Sequence, residues 1–205
     1  RVMFNHMQVS TSTTFNNVYI YCVPSMPAAT TASVMTNFIS PSMKELILND
    51  INKKKMISQE IVLMDPVFVG VNLGLTTGQE GVTPEISDNT QLVIQKTPGI
   101  IREDSAIIQE VADTIAVYFM NTKMELGQLI EVNTIGSLIQ NIQGVESIST
   151  SRTDLSLTLP GLSLCIWNPV YDNDIVIMNQ NYKLPYYKYP YLHDAFNLYK
   201  KIIIE

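Results

Sequence analysis

The run from Glu60 to Thr77 constrains the fold more than any other part of the chain. Val62 and Met64, then Val67, Val69, Val71, Leu73 and Leu75, place an apolar side chain at every second residue with one break. Period 2 belongs to a strand, whose successive side chains point to opposite faces. The break falls at Asp65-Pro66. Proline has no amide to give to a ladder, so this dipeptide predicts a bulge or an edge position. Any architecture for the chain must accommodate that extended segment.

Other elements assemble around it. Val18–Val23 (VYIYCV) is dense in β-branched and aromatic residues and predicts a strand, ended by Pro24 and Pro27. Residues 1–16 read as a polar arm or a broken strand, and 30–39 fits helix or strand equally. Ser40-Pro41 predicts a helix start, with Ser as N-cap and Pro at the first helical position. Met43, Leu46, Ile47 and Ile51 then recur at helical spacing, and Lys53-Lys54-Lys55 falls at the negative end of the helix dipole. The lysines read as a solvated helix end rather than a phosphate patch. Residues 77–90 form a Gly/Pro/acidic loop. Gln91–Lys96 is a short strand, turned by Thr97-Pro98-Gly99.

The middle third holds the strongest helix. Asp104 is its expected N-cap, Ile107, Ile108, Val111, Ile115, Tyr118 and Phe119 its apolar face, with Glu110 and Asp113 off that face and an end near Asn121. After Gly127, a short strand is expected over Gln128–Val132. Asn133 then caps a second helix with Ile135, Leu138, Ile139 and Ile142 on one side and Gly144 at C′. Val145–Ser149 reads as a further strand. Residues 155–178 revert to strand-like runs broken by Pro160-Gly161 and Pro169. The expectation is an α+β fold: a small mixed sheet packed by two or three helices, with a β-rich, Tyr-rich C-terminal extension. Three regions are expected: 1–55, a strand and helix; 56–154, the central α+β domain; 155–205, the extension and interface tail.

Composition narrows the function. The chain has 205 residues, 46% of them hydrophobic, which suffices for a packed core and argues against disorder. Only 16% are charged, against about 25% in an average soluble domain. Net charge is −6, unevenly spread: residues 1–55 carry +3, residues 56–160 carry −9 and residues 161–205 are neutral. That balance disfavours nucleic-acid binding as the main task, because neutralising phosphates needs a basic face. Cys22 and Cys165 lie far apart in apolar runs. They read as two buried thiols, not a disulfide framework, which suits a reducing compartment. No apolar run approaches the roughly 18 residues of a membrane span, and no secretory signal pattern stands out. A chain that begins at Arg1 reads as a fragment or a processed product.

Catalytic patterns are missing from the sequence. Its two histidines, His6 and His193, stand in opposite terminal segments, and no HExxH or CxxC suggests zinc. There is no GxSxG elbow. Gly70–Gly81 is spaced GxxxG then GxxG, with no helix following it to hold a phosphate. Glu103-Asp104 favours a helix N-terminus over acid–base work. Asp172 and Asp174 would suit a hard cation, but no Gly or distal Glu completes a loop, and a plain turn is the simpler reading. No catalytic, cofactor-binding or metal-ligating set is expected.

The tail, NYKLPYYKYPYLHDAFNLYKKIIIE, carries six of the ten tyrosines within residues 182–199. Its prolines favour an extended path. Tyrosines offer a large contact area with a polar tip and are enriched at interfaces. Tyr186, Tyr187, Tyr189, Tyr191, Phe196, Ile202, Ile203 and Ile204 are therefore the candidate interface residues, with capping of the chain's own core as the equal alternative.

Taken in order, several segments resemble the C-terminal region of a baseplate wedge protein of T4-like contractile-tailed phages, in the baseplate J-like family. They are VYIYCVPS, the helix from Leu46 to Lys55, IVLMDPVFVGVNLGL, the helix VADTIAVYF with the turn Leu126-Gly127, and TIGSLIQNIQGVESI. The resemblance spans residues 17–150 and is architectural; the Tyr-rich tail lies outside it. It implies a structural subunit without enzymatic activity or cofactor. Such a subunit assembles in the host cytoplasm into the virion tail baseplate. Its implied partners are copies of itself, as a homodimer or ring, and other wedge proteins, with no nucleic acid or membrane. A second reading is a module that stacks single-stranded nucleic acid or glycan on the Tyr/Lys tail. A third, a hydrolase using Asp172 and Asp174, offers no substrate class.

Overall fold

The computed structural model describes residues 2–5, 17–23, 38–55, 60–75, 89–119, 124–167, 176–178, 181–193 and 195–205. Within them the fold is α+β, as expected from the pattern. The ambiguous stretch 30–39 lies mostly outside the described residues, as do residues 76–88 of the acidic loop and residues 168–175, with Pro169, Asp172 and Asp174.

Asp65-Pro66 divides two sheets instead of forming a bulge. Strand β3 (Glu60–Met64) pairs in parallel with β2 (Asn17–Cys22), and β2 pairs antiparallel with β1 (Val2–Asn5). Strand β4 (Val67–Leu73) is instead the middle of a different sheet, ordered β12-β4-β9. Its neighbours are β12 (Lys188–Leu192), parallel, and β9 (Leu164–Trp167), antiparallel. The one-residue slip at the break is the physical reason. A slip of one residue in a period of 2 moves the apolar set to the other face, so one flat strand cannot bury both halves. β4 is buried on both faces from Val69 to Leu73, so its alternation understates how completely it is covered.

Close approach of β4 and β9 needs a residue without a side chain. A Cβ on Gly74 would lie 2.1 Å from Cys165 Sγ. Cys165 is fully buried, and burial pushes its thiol up to about 11, partly offset by Lys201 and Arg152. Burial also raises the Cys22 thiol. Both cysteines are free and buried, as the sequence indicated.

A four-stranded sheet carries the helices. Its order is β13-β5-β7-β8, from Ile202–Ile204, Thr90–Lys96, Val145–Arg152 and Leu157–Pro160. β13 runs parallel to β5 and the other pairs are antiparallel. Helices α2 (Asp104–Tyr118) and α3 (Val132–Gln140) pack on it, joining Ile107, Val111, Ile115, Ile135 and Ile139 to Leu92, Ile94, Ile148 and Ile202 in one core. A small sheet of β6 (Leu129–Ile130), β11 (Asn181–Lys183) and β10 (Val176–Met178) adjoins α3. Tyr182 is buried there and donates its hydroxyl to Leu164 O at 2.5 Å.

Several boundaries shift. The N-cap of α2 is Glu103, not Asp104; Asp104 sits in the first turn and accepts Lys96 Nζ at 2.7 Å. The carboxylate is held by that lysine rather than by its own helix. The helix ends at Tyr118, and 120–123 are not described. Glu131, not Asn133, caps α3 and accepts the Thr134 hydroxyl at 2.9 Å. Leu138, expected on the buried face, is 44% exposed; Gly136 takes the buried place between Ile135 and Ile139. Gly144 lies beyond C′, since the C-cap is Asn141, and its φ of +102° closes the turn into β7. Ser40 does cap α1 (Pro41–Asn52), its hydroxyl accepting Met43 N at 3.3 Å, with Pro41 at the helix start. Among the described residues, no helix is long and apolar enough to cross a membrane.

Candidate interface

The tail folds back onto β4 by way of β12. Pro190 fits inside that strand because β12 is an edge. His193 N donates to Val71 O at 2.8 Å, so by alternation the amides of Tyr189 and Tyr191 face β4 and the proline position faces outward. The turn before β12 closes with Lys188 N donating to Pro185 O at 2.9 Å. Gly127 supports that turn: its amide donates to Lys188 O at 2.9 Å, its φ is +69°, and a Cβ there would lie 2.8 Å from Tyr186 Cα.

This placement sorts the candidate residues. Tyr189 and Tyr191 are buried in the chain's own fold, and so is Ile202. Tyr189 meets Phe68 edge-on at 6.0 Å, and Tyr191 lies edge-on to His193 with its hydroxyl 3.5 Å from Nδ1. Burial raises the Tyr191 phenol. For these three residues the interface expectation is corrected: the chain itself covers them, because β12 and β13 are strands of its sheets. Ile203 and Ile204 are partly covered at the sheet edge. Phe196 is 67% exposed on the 3₁₀ turn Ala195–Lys201, beside the exposed Tyr199.

Two of the candidate tyrosines, Tyr186 and Tyr187, remain at the surface and form a cluster with Tyr21. Tyr186 is 40% exposed, and its ring lies 5.3 Å from Tyr187 and 5.8 Å from Tyr21, edge-on to both. Tyr21 and Tyr187 are 6.2 Å apart and tilted. The ammonium of Lys188, itself buried, sits 5.5 Å from the Tyr187 ring centre. Burial, then the neighbouring Tyr186 and Tyr19, raise the Tyr21 phenol. Val67 and Met64, where the chain passes between sheets, are exposed as well. Val67 N donates to Tyr187 O at 3.0 Å, which places the tail's turn beside that crossing.

Sequence reading missed Tyr21 as a member of the cluster, and Phe68 as the ring that meets Tyr189. Tyr19 and Tyr21 share one face of β2 by alternation, a signal present in VYIYCV. Chemically, the cluster offers flat apolar area with polar tips. Among the described residues no group of three or more His, Cys, Asp and Glu is placed to hold a metal. No protein-family model matches the chain, and no curated protein matches it.

Proposed function

We propose that the chain is a structural subunit of a contractile-phage tail baseplate wedge, working by self-association and by docking to other wedge proteins in the virion. The observation that carries the docking part is the Tyr21–Tyr186–Tyr187 cluster, whose exposed Tyr186 ring packs edge-on against the other two in the turn that Gly127 supports just before β12. Rings held in place at a surface lose little freedom on binding, and such aromatic anchors dominate interface energetics. The resemblance supplies the setting. It is supported by each quoted segment forming a regular element in order: β2, α1, β3 with β4, α2, and α3 running into β7. A low share of charge fits a part that is mostly covered on assembly, since obligate interfaces can exceed about 2,000 Å².

Stacking of single-stranded nucleic acid or glycan is the weaker reading. Tyr189 and Tyr191 present no free ring face, and the net charge of −6 opposes phosphate.

The test mixes the chain with baseplate wedge proteins of a contractile phage and follows association by sedimentation. Tyr186→Ser and Phe196→Ser are exposed changes that leave the core intact. Each is expected to weaken association about tenfold or more, the usual size of an aromatic anchor's loss. No association of the unchanged chain, with itself or with those proteins, would remove the reading.

A further inference from the structure

Helix α1 leaves part of its apolar surface uncovered. None of its residues is buried. Lys44, Ile47, Leu48 and Ile51 form a half-covered side, and the helix packs against β3. Lys44 Nζ is 2.6 Å from Asp65 Oδ1 in the turn after β3. Met43 and Leu46 lie on the flank, 50% and 63% exposed, and Phe38 just ahead of the helix is 57% exposed, with one side of its ring 5.5 Å from Phe68. Three large apolar side chains within nine residues of sequence are more than the scattered single exposures normal for a surface.

The charge of this region is opposite to that of the rest. Residues 38–55 carry four lysines against Glu45 and Asp50, net +2, while the remainder of the chain carries −8. Following the flank toward the C-terminus, Met43, Leu46 and Asp50 give way to Lys53 and Lys54, both exposed, then Lys55. Lys53 Nζ is 3.3 Å from Asp50 Oδ1, and both are highly exposed, so the pair holds the lysine only weakly.

We infer that α1 is a docking surface for an acidic amphipathic segment of another protein. Its apolar side chains would cover Met43, Leu46 and Phe38, and its carboxylates would meet Lys53, Lys54 and Lys55. Charge selects this occupant. A second copy docked α1 to α1 would offer these lysines another surface of net +2 instead of one rich in carboxylates, since a twofold contact repeats the same patch on both sides. An anionic membrane would attract the lysines but repel the −8 carried by the rest of the chain. A short acidic segment confined to α1 meets that −8 over far less surface than a membrane does, while it still faces the local +2. Helices with apolar anchors at spacings of three and four are a common recognition surface. The inference rests on exposure and charge, not on the baseplate reading, so either can fail alone.

The probe is a labelled peptide with leucines at helical spacing and glutamates elsewhere, and its control replaces every glutamate with lysine. Anisotropy with the full chain is expected to show binding of the acidic peptide only, weakening as salt is raised. Leu46→Asp, and Lys53→Glu with Lys54→Glu and Lys55→Glu, should each weaken it by about tenfold or more, a leucine's burial being worth at least that. These side chains are outside the core, and circular dichroism of each variant checks that the fold is kept. Equal binding of both peptides, or no change in the variants, overturns the inference. So does sedimentation showing a dimer that Leu46→Asp dissolves. Capture on phosphatidylserine vesicles that depends on Leu46, without peptide binding, overturns it too.

Discussion

Two glycines give opposite expectations at the scale of single residues. Gly74 faces Cys165 across β4 and β9, and a methyl there would overlap the sulfur. Neither side can yield, since Cys165 is fully buried and Asn72 and Leu73, just before the glycine, are buried too. Gly74→Ala is therefore expected to cost about 1–3 kcal/mol, the range of overpacking in a close-packed core. Gly136 lies within α3, and a methyl there would meet Ile148 Cδ1 and Leu162 Cβ at 3.7 Å, ordinary contact distance. Glycine costs a helix interior about 0.8–1 kcal/mol relative to alanine. Gly136→Ala should therefore stabilise the protein by roughly 0.5–1 kcal/mol. Urea unfolding of both variants checks the pair, and two shifts of the same sign would refute the packing described at one of the sites.

Element by element, α3 is the sharpest test of which face is turned inward. Ile139 has no exposed surface, and Leu138 next to it points outward. Ile139→Ala should cost about 2–4 kcal/mol by the usual cavity penalty, while Leu138→Ala should stay within about 0.5 kcal/mol. Comparable losses at both positions would mean that the helix is rotated from this orientation. The sequence pointed to both residues because Ile135, Leu138, Ile139 and Ile142 satisfy a helical stripe. It could not show that Gly136 fills the middle of the buried face, since a glycine adds nothing to a hydrophobic pattern. Helix α1 teaches the same lesson in reverse. Its start was legible from Ser40-Pro41, because capping is local chemistry. Its apolar spacing implied a covered face, yet the helix packs against one strand and keeps Leu46 in solvent. Strands were found because β-branched residues and alternation are local signals. Their partners were not, because the pairings of β12 with β4 and β13 with β5 join residues about a hundred positions apart. That is also why three of the eight candidate interface residues, Tyr189, Tyr191 and Ile202, turn out to be covered by the chain itself: a Tyr-rich strand looks the same whether its rings meet a partner or the chain's own sheet.

Taken whole, the molecule does not come apart where composition changes. The expected boundaries lie at 55/56, where the charge changes sign, and at 154/155, where the strand-like runs resume, but hydrogen-bonded pairs cross both. β2 pairs with β3 across the first, and β7 with β8, β4 with β9, β4 with β12 and β5 with β13 across the second. The core crosses them as well: Val23, Val71, Ile115, Tyr189 and Ile202 belong to one buried cluster. Units that share a core lose it together, so unfolding should be a single cooperative transition. Trp167, the sole tryptophan, lies in β9, while most helical signal comes from α1, α2 and α3. Fluorescence and far-ultraviolet circular dichroism should therefore give coincident midpoints in urea. Ile202→Ala tests the connection from the far end of the chain. It leaves a cavity between β13, β5 and α2, costs about 2–5 kcal/mol, and should lower both midpoints equally. If the tail were an independent extension, only one probe would move, or neither. Separate transitions, or an Ile202→Ala effect confined to one probe, would restore the three-part division expected from the sequence.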